Sequence, residues 1–198
     1  PADLEARSAL KHDDAKTVEE ELREKILTIG ENILVRRFAR FEGNIVTYIH
    51  GEGRIGVMVK VEGDLTDDAK AAAKDAAMQI AAMNPAYLDR DSVPAEVIEK
   101  EKEILIAQMK EDPKMANKPD AVLGKIVEGK IAKYYKENCL VEQQFVMNGD
   151  ITVGKYVADT AKELGADIKL SAFVRMEKGE GIEKRVDDFA AEVASMVK

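Results

Sequence analysis

Tryptophan is absent from this 198-residue chain, histidine occurs twice, cysteine once, and aromatic side chains make up only 5% of it. Two imidazoles and one thiol argue against a zinc site and against a histidine-based catalytic cluster. The lone thiol, Cys139, cannot close a disulfide within the chain, and a free thiol suits a reducing compartment. No apolar run approaches the roughly 20 residues that cross a bilayer, and the first residues lack the basic-then-apolar order of a secretory signal. A cytoplasmic protein with no membrane partner is the expectation. Basic residues are outnumbered too: 30 Lys and Arg against 38 Asp and Glu give a formal charge of -8, which disfavours a nucleic-acid partner. Phosphate loops are also missing, since Gly51-Glu52-Gly53 and Gly179-Glu180-Gly181 lack both the spacing and the Lys-Ser/Thr ending. No cofactor is expected. What is present is 45% apolar content, enough for a core in one large or two small domains.

The chain carries a degenerate internal repeat. Thr17-Val18 corresponds to Thr152-Val153 and, at the same offset, Ile29-Gly30-Glu31-Asn32-Ile33 corresponds to Leu164-Gly165-Ala166-Asp167-Ile168. Phe38, Arg40 and Glu42 then correspond to Phe173, Arg175 and Glu177. Each copy reads as helix, glycine stop, strand. Thr17 and Glu20 have capping-box spacing, and Val18, Leu22, Ile26 and Ile29 recur on one helical face, which predicts packing against a core. The second copy repeats that face with Val153, Val157, Ala161 and Leu164. In its strand Ile168, Leu170, Ala172, Val174 and Met176 alternate, so all five are expected on one face. On the first copy's strand Arg36, Arg37 and Arg40 would alternate faces.

Between the copies, Ile45 to His50 and Arg54 to Glu62 are extended runs joined by Gly51-Glu52-Gly53, a hairpin signal. An Ala-rich helix follows, capped by Thr66 and stopped at Asn84-Pro85. The segment from Asp91 to Asn138 changes period. Pro94 opens one amphipathic helix through Val97, Ile98, Ile104 and Leu105, and a second carries Leu123, Val127, Ile131 and Tyr134, which predicts an antiparallel helical hairpin. Gln144 to Met147 is strand-like, and Ile182 to Lys198 reads as a last amphipathic helix through Val186, Phe189, Val193 and Met196. The first copy has no hairpin before its helix, and Pro1 stands where an initiator Met is expected, so the repeat predicts matching elements upstream.

The predicted fold class is α+β: two related subdomains with small antiparallel sheets packed by helices, an inserted antiparallel coiled-coil hairpin and a C-terminal helix. The predicted boundaries are 1–44 for a truncated amino-terminal core subdomain and 45–90 with 139–180 for the carboxy-terminal core subdomain. Residues 91–138 would form the hairpin and 181–198 the last helix. Carboxylates such as Glu19-Glu20-Glu21 and Glu99, Glu101 and Glu103 fall on solvated helix faces, where charge is ordinary, so no enzyme is expected. His50, at a hairpin tip, can both donate and accept hydrogen bonds to a partner.

Several stretches together resemble the elongation factor Ts family across essentially the whole chain. They include Ile29-Gly30-Glu31-Asn32-Ile33 with Arg36-Arg37, His50-Gly51 with Gly53-Arg54-Ile55-Gly56-Val57, and Met78-Gln79-Ile80-Ala81-Ala82. Pro94-Ala95-Glu96-Val97-Ile98-Glu99-Lys100-Glu101, Lys125 to Lys130, Gln144-Phe145-Val146-Met147 and Gly179-Glu180-Gly181-Ile182-Glu183-Lys184 complete the set. The resemblance implies a guanine-nucleotide exchange factor that binds elongation factor Tu, with Ile29, Gly30 and His50 as contact residues and no bond made or broken. The amino-terminal subdomain would meet the partner's nucleotide domain and the carboxy-terminal subdomain its third domain. The family's Thr-Asp-Phe-Val segment and its amino-terminal three-helix module are not in this sequence, which implies binding with poor exchange. The alternative from another class is a noncatalytic module that uses the helical hairpin for interaction or homodimerisation.

Overall fold

In a computed structural model, residues 10–11, 15–112 and 118–182 are described, and the chain divides into two compact units, residues 1–40 and 41–198. In the first unit, helix α1 (Val18–Ile29) begins at the anticipated capping box. Thr17 Oγ1 accepts from the Glu20 amide at 3.2 Å, and the Glu20 carboxylate accepts from the Thr17 amide at 2.7 Å. That second bond holds the Glu20 carboxyl below its ordinary range. Gly30 ends the helix with φ of 79°, donating its N–H to the Ile26 carbonyl at 2.8 Å. Two expectations fail here. The Val18, Leu22, Ile26 face is only half-covered and Ile29 is exposed, so α1 buries none of its residues. Residues 32–42 form neither helix nor strand, so Arg36, Arg37 and Arg40 do not alternate on a ladder. Apolar alternation proposes a strand, but only a paired neighbour makes one.

The second unit is α+β. Strands β1 (Asn44–His50) and β2 (Ile55–Gly63) form the anticipated hairpin, with Ile55, Val57, Val59 and Val61 buried. Helix α2 (Asp67–Met83) follows, capped by Thr66 Oγ1 on the Ala69 amide at 3.2 Å and stopped by left-handed Asn84. Its alanines bring the helix close to the sheet: Ala69, Ala73, Ala76 and Ala77 share the core with Val57, Val59 and Ile80. Helices α3 (Ala95–Glu111) and α4 (Asp120–Asn138) share a separate cluster built on Ile98, Leu105, Met109, Val127 and Ile131. Ile104, expected on the seam, is exposed.

The chain leaves for α3 and returns from α4 through adjoining backbone. The Ala86 and Tyr87 amides donate to the Asn138 carbonyl at 2.9 and 3.0 Å, and the Leu140 amide donates to the Tyr87 carbonyl at 2.9 Å. Arg90 donates to both carboxylate oxygens of Glu142 through its Nε and Nη2 and lies 4.8 Å from the Tyr135 ring centroid. Burial pushes the Cys139 thiol up to about 11, which leaves it a poor nucleophile at neutral pH.

After a single 3-10 turn (Leu140–Glu142), strands β3 (Gln144–Phe145) and β4 (Asn148–Thr152) make a short hairpin. Of the two, only β3 is legible in the sequence. Helix α5 (Val153–Leu164) lays Val153 and Val157 into the core, while Leu164 is exposed. Strand β5 (Ile168–Glu177) completes an antiparallel sheet of order β1-β2-β5. Its five-residue face is corrected by a bulge. Val61 pairs with Leu170 but Lys60 pairs with Ala172, so Ser171 is the extra residue and the alternation flips beyond it. Phe173 then joins the core opposite Val59, and Ala172, Val174 and Met176 turn to the other face. Ile182 is exposed and outside any helix, and the remainder of the predicted last helix lies outside the described residues.

Candidate docking surface

The anticipated contact residues sit where regular elements end. Ile29 is the last residue of α1 and is 57% exposed, and the left-handed turn at Gly30 follows it directly. No atom lies within 4 Å of a Cβ built on Gly30, so that backbone is open to a partner. These two residues are neighbours in the first unit; His50 belongs to the second.

His50 ends β1 and is exposed. Its Nδ1 lies 2.9 Å from the Tyr48 hydroxyl, which shares its face of the strand, so one ring nitrogen is engaged and the ring is oriented. The turn that follows is left-handed at three successive residues, with φ of 59°, 54° and 87° at Gly51, Glu52 and Gly53. A clasp from β5 holds the turn. The Lys178 amide donates to the Arg54 carbonyl at 2.8 Å, the Arg54 guanidinium lies 3.4 Å from Glu177, and Arg175 donates to Glu177 at 2.8 Å. The Arg175 bond first, with the charge of Arg175 and then that of Arg54, keeps the Glu177 carboxyl below its ordinary 4.5. A depressed carboxyl contributes stability that is present above its unfolded value and lost as pH falls through the folded one. Protection of the Lys178 amide from hydrogen exchange is therefore expected to hold above pH 4.5 and to decline below it, and Glu177→Gln should abolish that dependence.

A second exposed tip lies within the Gln144-Phe145-Val146-Met147 stretch, which carries the family resemblance but names no contact residue. Val146 and Met147 form the two-residue turn between β3 and β4 and are 49% and 63% exposed, while Phe145 beside them is buried. In the sequence Phe145-Val146-Met147 is one short apolar run, and nothing in such a run tells which members turn outward. Among the described residues no group of three or more His, Cys, Asp or Glu side chains could hold a metal, and no helix is long and apolar enough to cross a membrane.

The family profile described as Elongation factor TS matches residues 1–180. The chain belongs to the elongation factor Ts family. It is 51% identical to the elongation factor Ts of Syntrophotalea carbinolica, over all of this chain and 66% of the relative's length. It is 52% identical to that of Clostridium botulinum (strain ATCC 19397 / Type A) over 91% of this chain and 59% of the relative, and 48% identical to that of Clostridium kluyveri over 94% and 61%. The chain thus spans less than two thirds of the length of these elongation factor Ts relatives.

Proposed function

We propose that this chain acts as a translation elongation factor Ts, binding elongation factor Tu and promoting GDP release by stabilising the nucleotide-free state. Family membership over residues 1–180 carries the reading. The geometry supports it with exposed side chains at the ends of ordered elements: Ile29 and Gly30 after α1, His50 after β1, and Val146 with Met147 between β3 and β4. Such anchors lose little entropy on docking, because their backbone is already fixed.

The mechanism is linkage. A protein that prefers the nucleotide-free partner weakens GDP by the same factor by which GDP weakens the protein, and no covalent step takes part. The setting is the cytosol, where the partner works. The proposed organisation keeps residues 1–44 as one core subdomain, 45–90 with 139–180 as the other, and 91–138 as an inserted coiled-coil hairpin.

Calorimetric titration of the chain into nucleotide-free elongation factor Tu is expected to give tight binding that saturating GDP weakens by about 5- to 150-fold. His50→Ala should weaken the nucleotide-free complex by about tenfold. Equal affinity with and without GDP would overturn the reading. A homodimer is the second reading, favoured by the apolar outer sheet face of Ile49, Met58, Val174 and Met176, and sedimentation of the chain alone distinguishes it.

A further inference from the structure

Among the described residues the buried polar side chains are Gln79, fully buried on α2, and Gln143, 1% exposed between the 3-10 turn and β3. Both amides are engaged through oxygen and nitrogen. Gln79 Nε2 donates to Gln143 Oε1 at 3.1 Å and to the Gln144 carbonyl at 3.0 Å, and Gln79 Oε1 accepts from the Val146 amide at 2.8 Å. Gln143 Nε2 donates to the Glu137 carbonyl at 2.8 Å, in the last turn of α4.

An apolar side chain would fill position 79 of α2 without the penalty of burying an amide. The amide instead satisfies backbone groups on another element, and the backbone it holds is that of the exposed β3–β4 tip. Val146 is gripped from beneath through its N–H while its side chain, and that of Met147, point outward. A hairpin of two and five residues is too short to order its own turn. Order must come from below, and Gln79 supplies a hydrogen bond at the turn itself.

We infer that Gln79, oriented by Gln143, is a positioning residue for docking through Val146 and Met147. The inference rests on the reading that this tip meets elongation factor Tu. Fixing the tip in advance lowers the ordering cost of binding, so its loss acts on the lifetime of the complex more than on encounter. The bond from Gln143 to Glu137 ties the end of α4 to the same clasp, so the two-helix arm and the tip share one anchor.

Amide exchange on the free chain tests the clasp without any partner. In the unaltered protein the Val146 amide is expected to exchange about 100-fold or more below its intrinsic rate despite its exposed residue; an unprotected amide would overturn the inference. In Gln79→Met, a swap of similar volume, Val146 protection should fall about tenfold while that of Val59 in the sheet core is retained. Dissociation from nucleotide-free elongation factor Tu should quicken about tenfold with association unchanged, and Met147→Ala should do the same. If Gln79→Met also loosens Val59, Gln143→Met replaces it with the same two readouts. A loosened Val146 with an unaltered dissociation rate overturns the positioning role. So does tight binding that ignores Met147→Ala. An unaltered chain that fails to bind elongation factor Tu instead overturns the docking reading on which this one rests, whatever the exchange data show.

Discussion

Gly63→Ala is expected to lower the stability of the second unit by about 3–5 kcal/mol, a large effect for a single added methyl group. Gly63 ends β2 with φ of +96°, a conformation side chains resist, and a Cβ there would overlap the Asp167 carbonyl oxygen. That carbonyl cannot retreat, because it accepts from the Asp64 amide at 3.0 Å and precedes Ile168, which pairs with Gly63 itself. Relief would require unpairing the start of β5. With a slope of about 2 kcal/mol/M, the urea midpoint followed by far-ultraviolet circular dichroism should fall by roughly 2 M. Gly165→Ala is the control: its φ of +59° is also left-handed, but no atom lies within 4 Å, so only about 1 kcal/mol should be lost. Equal midpoints for the two variants would mean that the tight approach of β2 to the α5–β5 turn does not exist in solution.

Phe145→Ala is expected to cost about 3–5 kcal/mol, with a spectroscopic signature of its own. The Phe145 ring is buried and stacks on Tyr156 at 4.4 Å between centroids and 19° between planes. Tyr156 in turn donates its hydroxyl to Asp75 at 2.6 Å, and burial, then that bond, pushes its phenol up to about 12. Removing Phe145 opens one side of the phenol to water, so its ionisation should move back toward the ordinary value of 10. Alkaline spectrophotometric titration of the variant, held below its unfolding pH, reads that shift directly. An unmoved late-titrating tyrosine would show that Tyr156 is shielded by other neighbours. The same variant removes the buried side chain adjoining Val146 and Met147, so stability and docking should fall together.

Much of the second unit can be read from the residues, because each of its signals is local. Ile55, Val57, Val59 and Val61 carry the alternation of β2, Thr66 supplies a cap, and Asn84-Pro85 supplies a stop; each acts within a few residues. What escapes such a reading depends on partners distant in the chain. The bulge at Ser171 is set by pairing with Lys60 and Val61, so the alternating pattern of β5 could not disclose that Phe173 faces inward. Strand β4 is made of Asn148, Gly149 and Asp150 before it reaches Ile151, a composition that announces a turn, and only pairing with β3 extends it. The residues after Gly30 fail in the opposite sense: Ile33 and Phe38 suit a strand well enough, but residue type does not supply a ladder. Among site residues, Ile29, Gly30 and His50 come from a motif match and lie at element ends, two of them exposed side chains and the third an open glycine. Gln79 stands inside one of the family motifs, yet its role depends on where the fold brings Val146, far along the chain.

The backbone bonds between Tyr87 and the Asn138–Leu140 segment bear on how variable the α3–α4 arm can be. Its two roots are stapled to each other by the base, so whatever lies between them is topologically a side branch. Lengthening or shortening such a branch by matched helical turns leaves the closure of its roots untouched and asks little of the base, since the entropy of a loop grows only slowly with its size. Homologous chains should therefore tolerate arms of differing reach on an otherwise constant platform, with size changes falling toward the distal end and not at the roots.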